Sequence, residues 1–178
     1  MIKKDIRIVF MGTPEFAVTI LDGLLQQNYT IAGVITAPDR PSGRGQKLHE
    51  SAVKVFSKSK GITVLQPTNL KGDSFLSELK ALNANLQIVV AFRMLPKVVW
   101  QMPALGTFNL HASLLPDYRG AAPINWAIIN GEKETGVTTF FIDEKIDTGA
   151  VIMQSKIDIN PSENAGELHD KLMHLGSE

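Results

Sequence analysis

The chain has 178 residues, the length of about one domain with a sizeable buried core. Its 44% hydrophobic and 20% charged residues exclude a disordered, collagen-like or low-complexity chain, and eighteen Lys and Arg balance eighteen Asp and Glu. Cysteine is absent, which excludes disulfides, zinc–thiolate centres and cysteine nucleophiles, and the longest apolar run, Ile88 to Phe92, is far short of the ~20 residues that span a bilayer. The N-terminal apolar stretch is short and holds Arg7, unlike a secretory segment, so a cytoplasmic protein is expected. The charge balance hides an asymmetry. Met1 to Lys60 carries nine basic and five acidic residues, whereas Phe141 to Glu178 carries eight acidic and three basic. Such a split marks either a basic partner surface or ordinary solvated faces.

In chain order, Ile6 to Met11 reads as a strand that ends at the turn Gly12-Thr13-Pro14. Thr13 is placed to cap a helix with Pro14 at its first position, and Phe16, Ile20, Leu21, Leu24 and Leu25 recur at helical spacing. Thr30 to Thr36, rich in β-branched residues, is a second strand, and Ala37 to Lys47 a Pro/Gly/Arg-rich loop. A helix from Ser51 to Lys60, a short strand at Ile62 to Leu65 and a helix from Gly72 to Leu82 follow. Leu86 to Phe92 has the unbroken apolar pattern of a parallel strand buried on both faces. Gly106 to Leu110 is a strand, Pro123 to Asn130 a short helix, and Val137 to Ile142 and Ala150 to Ile159 the last strands. The final helix starts at Asn164 with Glu167 three residues on, presents Leu168, Leu172 and Leu175, and is closed by Gly176. Strands alternating with helices predict an α/β fold, doubly wound around a mostly parallel sheet. Such sheets bind ligands beyond the carboxyl ends of their strands, which is where chemistry is expected.

The first of those ends, Met11 to Glu15, lacks the three glycines of a dinucleotide fingerprint and the Gly-Lys-Ser/Thr of a P-loop, which disfavours nicotinamide, flavin and nucleoside triphosphate cofactors. It is either a plain turn or a helix N-terminus offering amide donors to a polar group. Asn109 and His111 sit two apart on a strand and so point to one face. An amide beside an imidazole suits acyl or formyl transfer, since the amide can donate to a developing oxyanion and the imidazole can move a proton. The long small-residue loop from Ser113 to Ala122 lets a ligand approach the backbone, and Asp147-Thr148-Gly149 is either a bare turn or the source of a carboxylate that orients His111. No metal is expected: His169 and His174, five apart on a helix, cannot share an ion. No serine-hydrolase elbow is present, and Trp100 and Trp126 read as core or pocket packing.

The run Phe108 to Pro116, with Asp147-Thr148-Gly149 downstream, resembles the formyltransferase superfamily that uses 10-formyltetrahydrofolate. Two further segments, Phe10 to Ala17 and Thr36 to Gly45, resemble the branch that acts on methionyl-tRNA. The resemblance implies a Rossmann-like formyltransferase fold and transfer of a formyl group from 10-formyltetrahydrofolate to the α-amino group of methionyl initiator tRNA. It implies that Asn109 binds the oxyanion, helped by protonated His111, and that Asp147 holds His111 and aids proton removal through water. Ser113, Leu114, Leu115 and Pro116 would form the folate-binding signature, with Arg93, Met94, Leu95 and Asp143 near the pterin. Arg40, Arg44 and Lys47 would contact tRNA phosphates, a sequence-tolerant and salt-sensitive interaction.

Many members have a glycine-containing, longer version of the Ala91 to Pro96 segment, which Phe92-Arg93-Met94 replaces here. The family continues into a β-barrel domain that helps to hold tRNA. Residues 1–178 are therefore expected to be a monomeric catalytic domain with weakened tRNA binding and an intact folate site. Two alternatives stay open: a formyltransferase for an amino-sugar nucleotide, which the segment Ala122 to Trp126 also suits, and a non-catalytic folate-like ligand-binding module.

Overall fold

The computed structural model describes residues 5–42 and 47–178. The chain divides after Thr107 into two compact units.

In the first unit the central strand β1, Arg7–Gly12, is buried from Ile8 onward, which explains why its sequence shows no polar alternation. The helix α1, Glu15–Gln26, buries Phe16, Ala17, Ile20 and Leu21. Its flanking residue is Pro14 rather than Thr13, and no side chain caps it. Pro14 stands extended at the threshold (φ −81°, ψ 177°), displacing Thr13 from the capping position; the Thr13 carbonyl instead accepts from Val53 N at 3.4 Å.

Strand β2, Thr30–Ile35, pairs parallel with β1. The expected loop that follows contains a small antiparallel hairpin, β3 (Arg40–Ser42) and β4 (Lys47–His49), with Arg40 opposite His49 and Pro41 opposite Leu48. Pro41 cannot donate to a ladder, and a two-stranded hairpin with two free edges tolerates it. Helix α2, Ala52–Ser59, is capped by Ser51, whose hydroxyl accepts from Lys54 N at 3.1 Å. Strand β5 (Val64–Leu65), helix α3 (Asp73–Ala81) and strand β6 (Leu86–Val90) complete the expected series. One turn of helix that periodicity does not reveal, α4 (Lys97–Trp100), follows Pro96. The strands run β5-β2-β1-β6, all parallel, as expected for an α/β sheet.

The strand pairs of the second unit are the antiparallel share of the mostly parallel sheet that the sequence predicts. Strands β7 (Thr107–His111), β8 (Glu134–Phe141) and β9 (Val151–Asp158) are antiparallel neighbours. For β8 and β9 the cause is the link from Ile142 to Ala150, shorter than the dozen or so residues that a parallel crossover needs. Between β7 and β8, helix α5 (Pro123–Ile129) starts from Ala122, which is left-handed at φ 56°. This helix buries Ala127 and leaves Trp126 half exposed, so Trp126 is not core packing. Helix α6, Ala165–Leu175, has the full Asn164/Glu167 capping box and buries Leu168 and Leu172. Gly176 ends it in a right-handed conformation, without the left-handed cap. Among the described residues no helix is long and apolar enough to cross a membrane.

Candidate active site

Strand geometry brings Asn109 and His111 to one face of β7, where their β8 neighbours are Phe140 and Thr138. His111 is buried, and its Nε2 lies 2.9 Å from the Tyr118 carbonyl. A carbonyl only accepts, so Nε2 carries the hydrogen and Nδ1 is left able to take a proton. That Nδ1 stands 3.8 Å from Asp147 Oδ2, too far for a hydrogen bond and close enough for charge to act. Asp147 is itself held by one backbone and one side-chain donor: Gly120 N donates to its Oδ2 at 2.8 Å, and the Arg119 side chain donates from Nε to its carbonyl at 2.8 Å. Three consecutive residues, Tyr118 to Gly120, thus fix both the imidazole and the carboxylate.

Tyr118 and Asp147 are left-handed without being glycine, at φ 56° and 52°. The Tyr118 hydroxyl donates to Glu132 and accepts from Asn130 Nδ2 at 3.0 Å. The neighbouring Glu132 carboxylate raises the Tyr118 pKa above the usual phenol range, so the hydroxyl remains a donor. Asn109 Oδ1 is buried and has no hydrogen-bond partner among the described residues. An orphaned buried acceptor costs about 1–3 kcal/mol unless a donor such as water or a ligand group completes the pairing.

Asp147-Thr148-Gly149 is more than a bare turn. A Cβ at Gly149 would lie 1.6 Å from the Phe141 carbonyl oxygen, so only glycine lets the loop press against the end of β8. Asp143 closes the same loop, accepting from Thr148 Oγ1 at 2.8 Å and from Lys145 N at 2.9 Å. Along the segment from Ser113 to Pro116, Ser113 is buried and donates to the Asp117 carbonyl at 2.7 Å. Leu115 is buried, Leu114 half-buried and Pro116 exposed after a cis peptide bond. The Thr138 hydroxyl pins this segment, donating to Ser113 O at 2.7 Å and accepting from Leu115 N at 3.1 Å and Gln154 Nε2 at 3.0 Å.

In the first unit, Arg93, Met94 and Leu95 follow β6 after Ala91, which is left-handed at φ 48°. The Arg93 guanidinium donates to the carbonyls of Pro67 and Thr68, Met94 is exposed and Leu95 buried. A cleft of about 530 Å³ opens here, lined among others by Thr13, Arg40, His49, Ser51, Phe92 and Arg93. It lies past the ends of β1, β2 and β6, the position where parallel sheets bind ligands. Arg40 is exposed on β3, Lys47 begins β4, and Arg44 lies outside the described residues.

Residues 6–178 match the formyl transferase family. The chain belongs to that family. It is 74% identical over 174 residues to the methionyl-tRNA formyltransferase of Flavobacterium johnsoniae, covering 98% of this chain and 55% of that protein. It is 59% identical over 176 residues to the methionyl-tRNA formyltransferase of Bacteroides fragilis, covering 99% and 54%. The chain therefore spans about half the length of the curated relatives it matches. Among solved structures, phosphoribosylglycinamide formyltransferase from Bacillus halodurans shares the fold at a TM-score of 0.78 and 22% identity, covering 96% of this chain and 89% of that one. A sugar 3N-formyl transferase solved in the presence of dTDP and 5-N-formyl-THF aligns at a TM-score of 0.69 and 26% identity, over 97% and 59%.

Within this formyl transferase chain, the second unit sets Asp147 Oδ2 3.8 Å from His111 Nδ1, and Asn109 shares the β7 face of His111, as strand period anticipates. Sequence patterns do not expose the Tyr118 carbonyl or the Gly120 amide, because backbone groups carry no residue signature. His49 and Ser51 also line the cleft without a motif. Their only signal is their place just after the basic segment.

Proposed function

We propose that this formyl transferase chain carries the formyl group of 10-formyltetrahydrofolate to the α-amino group of methionyl initiator tRNA, acting as a monomer in the cytoplasm. The observation that carries the reading is the corner where His111 Nδ1 stands 3.8 Å from Asp147 Oδ2, with Asn109, whose Oδ1 is buried and unpartnered among the described residues, on the same face of β7 as His111. The 74% identity to the Flavobacterium johnsoniae protein supports the choice of acceptor.

The amine nitrogen attacks the formyl carbon and the carbonyl electron pair moves onto oxygen. The Asn109 amide and the proton on His111 Nδ1 meet that oxyanion, an arrangement in which losing one donor costs about 10²–10³ in rate. With Nε2 tied to the Tyr118 carbonyl, Nδ1 is the ring atom that holds the added proton, and Asp147 faces it. When the oxyanion collapses, the bond from the formyl carbon to the folate nitrogen breaks. That nitrogen gains a proton and the amine loses one, through water towards Asp147. Ser113, Leu114, Leu115 and Pro116, with Arg93, Met94, Leu95 and Asp143, are assigned to the folate. Arg40, Arg44 and Lys47 are assigned to tRNA phosphates, and the cleft beside Arg40 and His49 to the acceptor end. Residues 6–178 supply the catalytic share of the reaction, and further grip on tRNA comes from a β-barrel domain of the kind the family carries.

The test is formyl transfer to Met-tRNA by the chain and by its His111→Ala and Asn109→Ala variants. Each variant is expected to lose at least about 100-fold in rate. Transfer to an amino-sugar nucleotide alone, or folate binding with transfer to neither acceptor, would overturn the reading.

A further inference from the structure

The β3–β4 hairpin leaves and rejoins the first unit through two acidic roots, Asp39 before β3 and Glu50 after β4. Both carboxylates converge on one atom. Lys54 Nζ, from the first turn of α2, lies 2.5 Å from Asp39 Oδ2 and 3.0 Å from Glu50 Oε1. The second Asp39 oxygen accepts from Gln66 Nε2 at 2.8 Å, and the same nitrogen donates to the Ala37 carbonyl at 2.8 Å. Below this, Thr36 Oγ1 and Ser51 Oγ share a hydrogen bond of 2.7 Å that closes the neck of the hairpin. The Lys54 side chain is only 15% exposed, against 59% for Lys58, which also reaches Glu50 at 3.1 Å. Solvent and salt therefore screen the Lys54 contacts less than the outer pair. By contrast, Arg40 and His49, carried by the hairpin to the cleft, make no side-chain hydrogen bond among the described residues.

We propose that Lys54 is a positioning residue: its ammonium staples the two roots of the hairpin and so holds Arg40 and His49 ready for the acceptor RNA, which Lys54 itself does not touch. The proposal rests on the reading of the chain as a Met-tRNA formyltransferase. A hairpin competent for only a fraction of the time weakens apparent affinity by that fraction, without altering the reacting atoms. Removing the ammonium also leaves two carboxylates facing each other, which spreads the roots. Arginine retains the charge and reaches both acids, so it restores much of the effect.

Lys54→Met and Lys54→Arg are compared with wild type in the full chain by steady-state formyl transfer and by amide hydrogen exchange over residues 40–49. In Lys54→Met the KM for Met-tRNA is expected to rise about tenfold while kcat and the folate KM change less than about twofold. Exchange over residues 40–49 is expected to quicken, and Lys54→Arg to return both readouts most of the way. Should Lys54→Met not fold, Glu50→Gln, which removes one root contact at a more exposed position, shifts both readouts in the same direction by less. Unchanged exchange, or a fall in kcat with no change in the Met-tRNA KM, overturns the staple. Absence of any transfer by wild type overturns the proposed function, and the exchange comparison then decides the staple alone.

Discussion

The catalytic corner and the hairpin root are both tied down by short polar contacts, and they use opposite materials. At the corner the partners are backbone groups: the Tyr118 carbonyl for His111 and the Gly120 amide for Asp147. At the root the partners are charged side chains, Asp39, Glu50 and Lys54. Backbone partners do not vanish on substitution, so the positions of the His111 ring and the Asp147 carboxylate follow chain path, with the Arg119 side chain as an added tie. The root is defined by charge, and can loosen while the fold stays intact. The difference teaches that chemistry here is fixed by conformation, whereas the approach of a large acceptor is left adjustable.

The hardest way to break the corner is to alter its path. Gly149→Ala drives a methyl group into the Phe141 carbonyl, and is expected to destabilise the chain by about 3 kcal/mol in urea unfolding. Formyl transfer is expected to fall with it, since Asp147 lies two residues away; near-wild-type stability would show that the loop has another route.

Acid sharpens the contrast. Hydrogen bonds from Lys54, with Gln66 and Lys58 assisting respectively, hold the Asp39 and Glu50 carboxyls below the usual carboxylate range. A depressed pKa contributes stability above the unfolded-state value and loses it as pH falls through the folded-state value. Lys54 is shifted upward by Asp39 and Glu50, so its contribution persists through neutrality and is lost only as strongly alkaline pH passes its raised value. Exchange over residues 40–49, corrected for intrinsic rate, is therefore expected to quicken below about pH 4, while the Leu115 amide, bonded to the Thr138 hydroxyl, changes less. Equal acid sensitivity at the two places would erase the distinction.

The smallest expected effect concerns α2 itself. Ser57 is fully buried and its hydroxyl has no partner among the described residues. Ser57→Ala is expected to stabilise the chain by about 1 kcal/mol in urea unfolding. Hairpin exchange should be unaltered, because the roots depend on Lys54 rather than on overall stability. Quickened exchange would mean that the helix, not the charge, sets the hairpin.

Much of this was legible in the residues. The apolar run at Leu86 to Phe92 announces a buried parallel strand, the Asn164/Glu167 spacing a capping box, and the two-residue step from Asn109 to His111 a shared face. The antiparallel β8–β9 pair is legible in the short link after β8, whereas the long, helix-bearing link between β7 and β8 fits a parallel crossover equally well and hides the direction of that pair. The hairpin was hidden because Pro41, Gly43 and Gly45 punctuate it like a loop, and ladder pairing between so few residues leaves no period. The left-handed turns at Tyr118, Ala122 and Asp147 had no signal at all, since glycine, the residue that usually reports them, occupies none of the three positions. Glu50 and Lys54 stand four apart and suggest a pair, but nothing local points to Asp39 as the third member.

The Thr138 hydroxyl joins the Ser113 to Pro116 segment to β8 and, through Gln154, to β9. The segment is thus not an interchangeable cassette. A chimera that borrows it keeps this anchorage only where a hydroxyl stands at position 138 and an amide at position 154. Separate stretches of sequence behave here as one heritable part.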